Sequence, residues 1–356
     1  MTFVSCQRQQ RHDNSDTIMV NLNPQDKELS ASNLMDIVEW VELKADSSSY
    51  IGYVKKLEMF SSNYYILEKQ TQKCVLRYDN DGNLVNKIGR IGEGPGEYPD
   101  IYDFTIDSAN SKVLVLTSDS NLYIYNLDGT FVKKTALSGG TICMIAANPC
   151  GLIGTTSYAS LPDKKDGVVY LFNEYDQNYK ITDEALPYTQ HLLPYYFMFP
   201  SSFSTIDGNT YLVDNVHSRI ISYNCHEKNV TFPVSFKLDN PMPTEYFSDM
   251  RFIEHQRSFN WLKSSVITSQ GIIAEYIYDG NLSIAVIDWD GKVQTQGVYR
   301  GVFPSCYVAD DVILSPITPD MYFFYWEKLS EIPKPEFDVT EDSNLLLLKW
   351  KCKLFN

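Results

Sequence analysis

The chain has 356 residues, 44% hydrophobic and 13% aromatic, with 45 acidic against 30 basic side chains and a formal net charge of −15. Such an apolar fraction supports a large core and excludes a disordered chain. The acidic balance, with no basic cluster beyond the pairs Lys55-Lys56, Lys133-Lys134 and Lys164-Lys165, excludes nucleic acid and anionic lipid as partners. No apolar run approaches the ~20 residues of a membrane span.

Residues 1–32 read as a disordered tether ahead of a single domain, 33–356. Within it Cys6 follows Phe3-Val4-Ser5 and precedes a polar stretch, like the end of a bacterial lipobox. Cys6 is therefore a candidate lipidation site, although the basic and apolar regions of a signal peptide are missing from these residues.

Residues 36–44 alternate apolar and polar side chains, as a half-buried strand does. After them one unit recurs: strand, short polar turn, strand, strand, and often an Asp-Gly hairpin into a fourth. Six first turns fall at 61–63, 107–111, 148–151, 207–209, 269–271 and 310–311, each followed by an apolar second strand. Asp-Gly at 81–82, 128–129 and 290–291 suits the positive-φ positions of tight hairpins. A four-stranded unit repeating at these spacings predicts an all-β fold, a six-bladed β-propeller of four-stranded antiparallel blades. An open ring would expose strand edges, so the last blade is expected to close with 344–353 as its third strand and 36–44 as its fourth.

The glycine-rich stretch 89–98 is expected to be an inter-blade bend, not a phosphate cradle; it lacks a P-loop lysine and carries Glu93 and Glu97. Residues 186–200 read as a proline- and tyrosine-rich loop and 243–263 as helix-like. Thr318-Pro319-Asp320 has the N-cap, proline and first-turn acid of a short helix over 321–329. All long segments are inter-blade or second-to-third connections, so the helical insertions and loops gather on one face. That face is the expected functional one.

Its candidate ligand-binding residues are Arg90, Tyr98, Asp103, Tyr195, Tyr196, His217, Arg219, Arg251, His255, Trp261 and Arg300. Aromatic faces beside fixed polar groups suit a peptide, a glycan or a protein partner. Asp214 and Arg219 also read as an ion pair that simply fixes the turn. The seven cysteines show no CxxC spacing; Cys143, Cys150, Cys225 and Cys306 read as free thiols acting as small hydrophobes. No catalytic motif and no cofactor is identified, and a divalent cation at the channel mouth is the one metal considered.

Residues 41–43, 51–52, 55–57, 77–79, 88–90 and Gly94-Pro95-Gly96-Glu97-Tyr98, with the terminal 344–350, resemble six-bladed β-propeller proteins abundant in gut-dwelling Gram-negative anaerobes. Residues 211–220 more distantly resemble an NHL repeat. The resemblance implies an NHL-like envelope lipoprotein, periplasmic or at the cell surface, with no established activity. The expected function is a non-enzymatic binding or scaffold module. The alternatives are a metal-assisted hydrolase or lyase, and a structural subunit of a larger assembly.

Overall fold

A computed structural model describes residues 17–24, 27–44, 49–156, 169–188, 203–248, 251–309, 311–329 and 331–355. The chain begins with β1 (Ile18–Leu22), β2 (Glu28–Leu29), the single turn α1 (Ala31–Leu34) and β3 (Met35–Leu43). Blade 1 is β4 (Val54–Phe60), β5 (Asn63–Glu68), β6 (Cys74–Tyr78) and β7 (Leu84–Ile88). Blade 2 is β8 (Asp103–Asp107), β9 (Lys112–Leu116), β10 (Asn121–Asn126) and β11 (Phe131–Ala136). Blade 3 is β12 (Ile142–Asn148), β13 (Gly151–Thr156), β14 (Val169–Tyr175) and β15 (Ile181–Tyr188). Blade 4 is β16 (Ser204–Ile206), β17 (Asn209–Asp214), β18 (Arg219–Asn224) and β19 (Asn229–Leu238). A 3-10 turn, Thr244–Ser248, and α2 (Arg251–His255) lead to blade 5: β20 (Trp261–Ile267), β21 (Gly271–Tyr278), β22 (Asn281–Asp288) and β23 (Val293–Tyr299). Blade 6 takes β24 (Tyr307–Ala309), β25 (Val312–Ile317) and, after α3 (Pro319–Leu329), β26 (Leu345–Cys352).

The six sheets form a propeller closed as the sequence requires, since β26 pairs antiparallel with β3 from Leu345↔Leu43 to Cys352↔Met35. The first strands β4, β8 and β12 lie side by side, and β24 returns to β4, so the innermost strands ring a central channel. The core lies between blades. Tyr65, Leu67 and Val75 of blade 1, for example, pack on Phe104, Val113 and Val115 of blade 2, all at 0% exposure.

Two expectations are corrected here. Part of the supposed tether is ordered: β1 adds a parallel fifth strand to β19, and β2 adds one to β23. The alternation Ile18, Val20, Leu22 explains it, since Val20 and Leu22 are buried against blades 4 and 5. Of residues 1–32, residues 1–16, with Cys6, and 25–26 lie outside the described part. Among its described residues the helix-like stretch 243–263 holds just the 3-10 turn and five-residue α2, and Trp261 to Lys263 belong to strand β20. Its apolar residues are spaced by an aromatic cluster rather than by a helix face: the Phe252 ring lies tilted against Phe247 at 5.3 Å and edge-to-face with Trp261 at 5.0 Å.

The glycine-rich bend is the inter-blade link expected. Gly89 adopts φ 72°, and a Cβ there would stand 2.4 Å from the Tyr98 ring. The α3 helix starts where its cap signal places it, with the Met321 amide donating to Thr318 Oγ1 at 3.3 Å.

Candidate functional site

Inner strands enter the channel from the inter-blade side, so their first residues surround one mouth. Lys55 and Lys56 (β4), Asp103 (β8), Met144 (β12), Phe203 (just before β16), Lys263 (β20) and Tyr307 (β24) meet there around a cavity of about 100 Å³. Every blade contributes.

Lys56 is the keystone of this mouth. Its ammonium donates to the Phe104 carbonyl at 2.6 Å and the Ile145 carbonyl at 2.8 Å, and lies 3.1 Å from Glu58 and 3.5 Å from Asp103. Burial alone would push its pKa down, but Asp103 and Glu58 outweigh burial and hold it above the ordinary lysine value. Asp103 accepts from the Ile145 amide at 2.8 Å, and Glu58 accepts from the Ile106 amide at 2.9 Å. One cation thus ties blades 1, 2 and 3 together through groups that would be costly to bury alone.

Lys55 differs from its neighbour. It donates to the Tyr102 carbonyl and sits 4.3 Å above the Tyr102 ring. Burial lowers its pKa to about 8, against a smaller opposing pull from Asp103. On the far wall Lys263 pairs with Glu275 at 2.5 Å, Ser264 donates to Glu275, and the buried Ser265 hydroxyl has no partner among the described residues. Cys306 lines the same cavity as a thiol donating to the Pro304 carbonyl at 3.2 Å, with burial pushing its pKa up to about 12. The mouth therefore presents ammonium, carboxylate and hydroxyl groups in a partly dehydrated space. Its carboxylates are already engaged by lysines, so a divalent cation would have to displace Lys56 or Lys263 to gain oxygen ligands.

The other end of the channel is wider, a vestibule of about 510 Å³ edged by the short first turns with Asp207, Ser269 and Asp311. Ser269 donates to Asp311 there, bridging blades 5 and 6.

Of the candidates read from sequence, Asp103 lines the mouth. Tyr195 and Tyr196 lie outside the described residues. Tyr98 is fully buried, its hydroxyl donating to the Lys73 carbonyl at 3.1 Å, which anchors the glycine bend. Arg90 is exposed and pairs with Glu97 in the same bend; Arg300 pairs with Glu28 at the outer rim. Asp214, at 0% exposure, receives both His217 and Arg219 at 2.9 Å, so the ion-pair reading of that turn holds. Burial would raise the Asp214 pKa, but hydrogen bonding and charge from His217, with Arg219, hold it below the ordinary range. His217 and Trp261 share a shallow groove of about 410 Å³ beneath the 3-10 turn. Arg251 lies 4.7 Å above the Tyr246 ring, and His255 stacks on Tyr246 at 5.3 Å, both outward of the mouth.

The lysines of the mouth are what sequence reading missed, since it gave Lys55-Lys56 no role beyond an isolated basic pair. A usable signal existed. Lys56 and Glu58 on one innermost strand, and Asp103 and Thr105 on the next, alternate at the spacing that faces one side of a sheet. Cys150 and Cys225 are corrected too: they form a disulfide joining the first turn of blade 3 to the last turn of blade 4.

Among curated proteins none matches the chain. Among solved structures, a Bacteroides fragilis protein described as exported superposes with a TM-score of 0.73 at 15% identity, covering 94% of this chain and 99% of that one. A duf4221 member from Bacteroides vulgatus gives 0.56 at 12% identity, with 91% and 99% covered. The WD40 repeats of RRP9 give 0.51 at 7% identity, with 89% and 100% covered. At these identities the likeness concerns the propeller fold. Among the described residues no helix is long and apolar enough to cross a membrane. The family model described as "Domain of unknown function (DUF4934)" matches residues 16–349, so the chain belongs to that family.

Proposed function

We propose that the protein is a non-enzymatic binding module of the cell envelope, which takes a charged end group of a peptide or glycan into the channel mouth on its loop-rich face. The observation behind this reading is the convergence of Lys55, Asp103, Lys263 and Glu275 on one small cavity. A chain end or an acidic sugar substituent entering it exchanges its hydration for fixed ammonium and hydroxyl groups, which is where recognition gains most specificity. The long connections around the mouth would then hold the rest of the ligand. The neighbour described as exported supports the envelope reading, and a lipid on Cys6 would anchor the module there.

Peptide and oligosaccharide arrays probed with the purified full chain test this. A retained hit should lose roughly tenfold or more in affinity in Lys263→Ala and keep it in Asp311→Asn, at the opposite channel end. Arrays without a hit, or a hit indifferent to Lys263, would overturn the site. A hit that weakens only in the Arg251→Ala/His255→Ala double variant would move the ligand out to the rim.

A further inference from the structure

The residues that remain unexplained lie on the opposite face, where the blade 3 and blade 4 turns touch. The sulfurs of Cys150 and Cys225 and a ring nitrogen of His226 all lie within 4.8 Å of one another, the one such set of three His, Cys, Asp or Glu donors among the described residues. Both turns are held in shape from within. Asn148 accepts from the amides of Cys150 and Gly151 at 2.9 and 3.0 Å, and Asn224 accepts from those of His226 and Glu227 at 3.0 and 2.9 Å. The Cys225 amide donates to the Gly208 carbonyl at 3.3 Å, and Gly208, having no side chain, leaves room for the imidazole: a Cβ there would stand 3.1 Å from it. Cys225 is buried, Cys150 half-buried and His226 exposed, so the set is reachable from solvent on one side.

We propose that reduction of the Cys150–Cys225 bridge turns this set into a Zn²⁺ site that clamps blades 3 and 4. Tetrahedral zinc with sulfur at about 2.3 Å and imidazole nitrogen at about 2.0 Å places neighbouring donors roughly 3.5–3.8 Å apart. Cys150 Sγ and His226 Nδ1 already stand 3.5 Å apart. Breaking the bond frees the two cysteine side chains to rotate and part the sulfurs, and the exposed His226 leaves the set open to solvent for a fourth ligand. A dithiol reductant supplies two electrons and two protons to the S–S bond and leaves as its own disulfide. Zinc then displaces the two thiol protons with no further change in oxidation state. The oxidised form lacks thiolates and holds no ion, so the same two turns are joined either covalently or by metal.

The test uses the full chain with Cys6→Ser and Cys306→Ser, so that neither thiol competes; the remaining free cysteines Cys74, Cys143 and Cys352 are buried. Zinc uptake is measured by competition against a chromophoric chelator, before and after phosphine reduction. One zinc per reduced chain and none per oxidised chain is expected. His226→Ala, in an exposed turn that tolerates it, should weaken binding roughly tenfold or more. Cobalt in place of zinc should show a thiolate-to-metal charge-transfer band that Cys150→Ser weakens and Cys150→Ser/Cys225→Ser removes. Equal uptake by both redox forms, no uptake after reduction, or affinity unchanged in His226→Ala would each overturn the site and leave a purely structural disulfide.

Discussion

A single carboxylate shows how much order one residue imposes. Glu68, at the end of β5 and 0% exposed, accepts hydrogen bonds from the backbone amides of Tyr53, Gln70, Thr71, Gln72 and Lys73. Burial would raise its pKa, but these amides outweigh burial and hold it below the usual glutamate value of 4.5. A folded pKa lowered in this way contributes stability that is complete above 4.5 and is lost as pH falls through the folded value. Glu68→Gln should cost about 2 kcal/mol in urea unfolding at pH 7, and less at an acidic pH low enough to neutralise the wild-type carboxylate in the folded state. An equal loss at both pH values would mean that shape, not charge, orders the turn. Nothing in the sequence announced this residue, because its partners are main-chain groups that carry no side-chain signature. Lys56 stayed hidden for a related reason: a charge on a strand reads as solvated until the ring places that strand at the centre.

Elements were the most legible scale. The six second strands carry an unbroken apolar signal because both their faces are covered by neighbouring blades, and all are found where read. The stretch 243–263 misled because aromatic spacing there satisfies a local cluster and imitates a helical period. The glycine bend was readable because φ > 0 and close approach leave few residue choices. Gly89→Ala should therefore destabilise by more than about 1 kcal/mol, since the new Cβ meets the Tyr98 ring while the backbone is held left-handed. Thermal unfolding checks it; a change within about 0.5 kcal/mol would mean that the bend relaxes freely.

At the scale of the whole molecule, closure decides stability. Trp350 on β26 is fully buried, donates to Ser315 Oγ at 3.0 Å and packs against Phe303 at 6.2 Å. Trp350→Ala should cost about 3–5 kcal/mol, measured by chemical denaturation. It should act on the whole ring, giving one transition at lower denaturant rather than a separate early loss of blade 6. Two resolved transitions would show that the blades unfold independently. Closure could be read from sequence because strand count and edge avoidance demand it, whereas the added strands β1 and β2 could not: each is short, and neither is required to complete a blade.

Those two strands bear on the order in which a ribosome delivers this chain. Ile18–Leu22 pairs with Val234–Leu238, Glu28–Leu29 with Val298–Tyr299, and Met35–Leu43 with residues 345–352. The earlier-made segment thus waits for partners made later, first β19 of blade 4, then β23 of blade 5, then β26 of blade 6. During synthesis at roughly 5–20 residues per second it stays available to other proteins for many seconds. Any protein that must grasp residues 18–43 before they fold has that interval, which ends when β26 emerges.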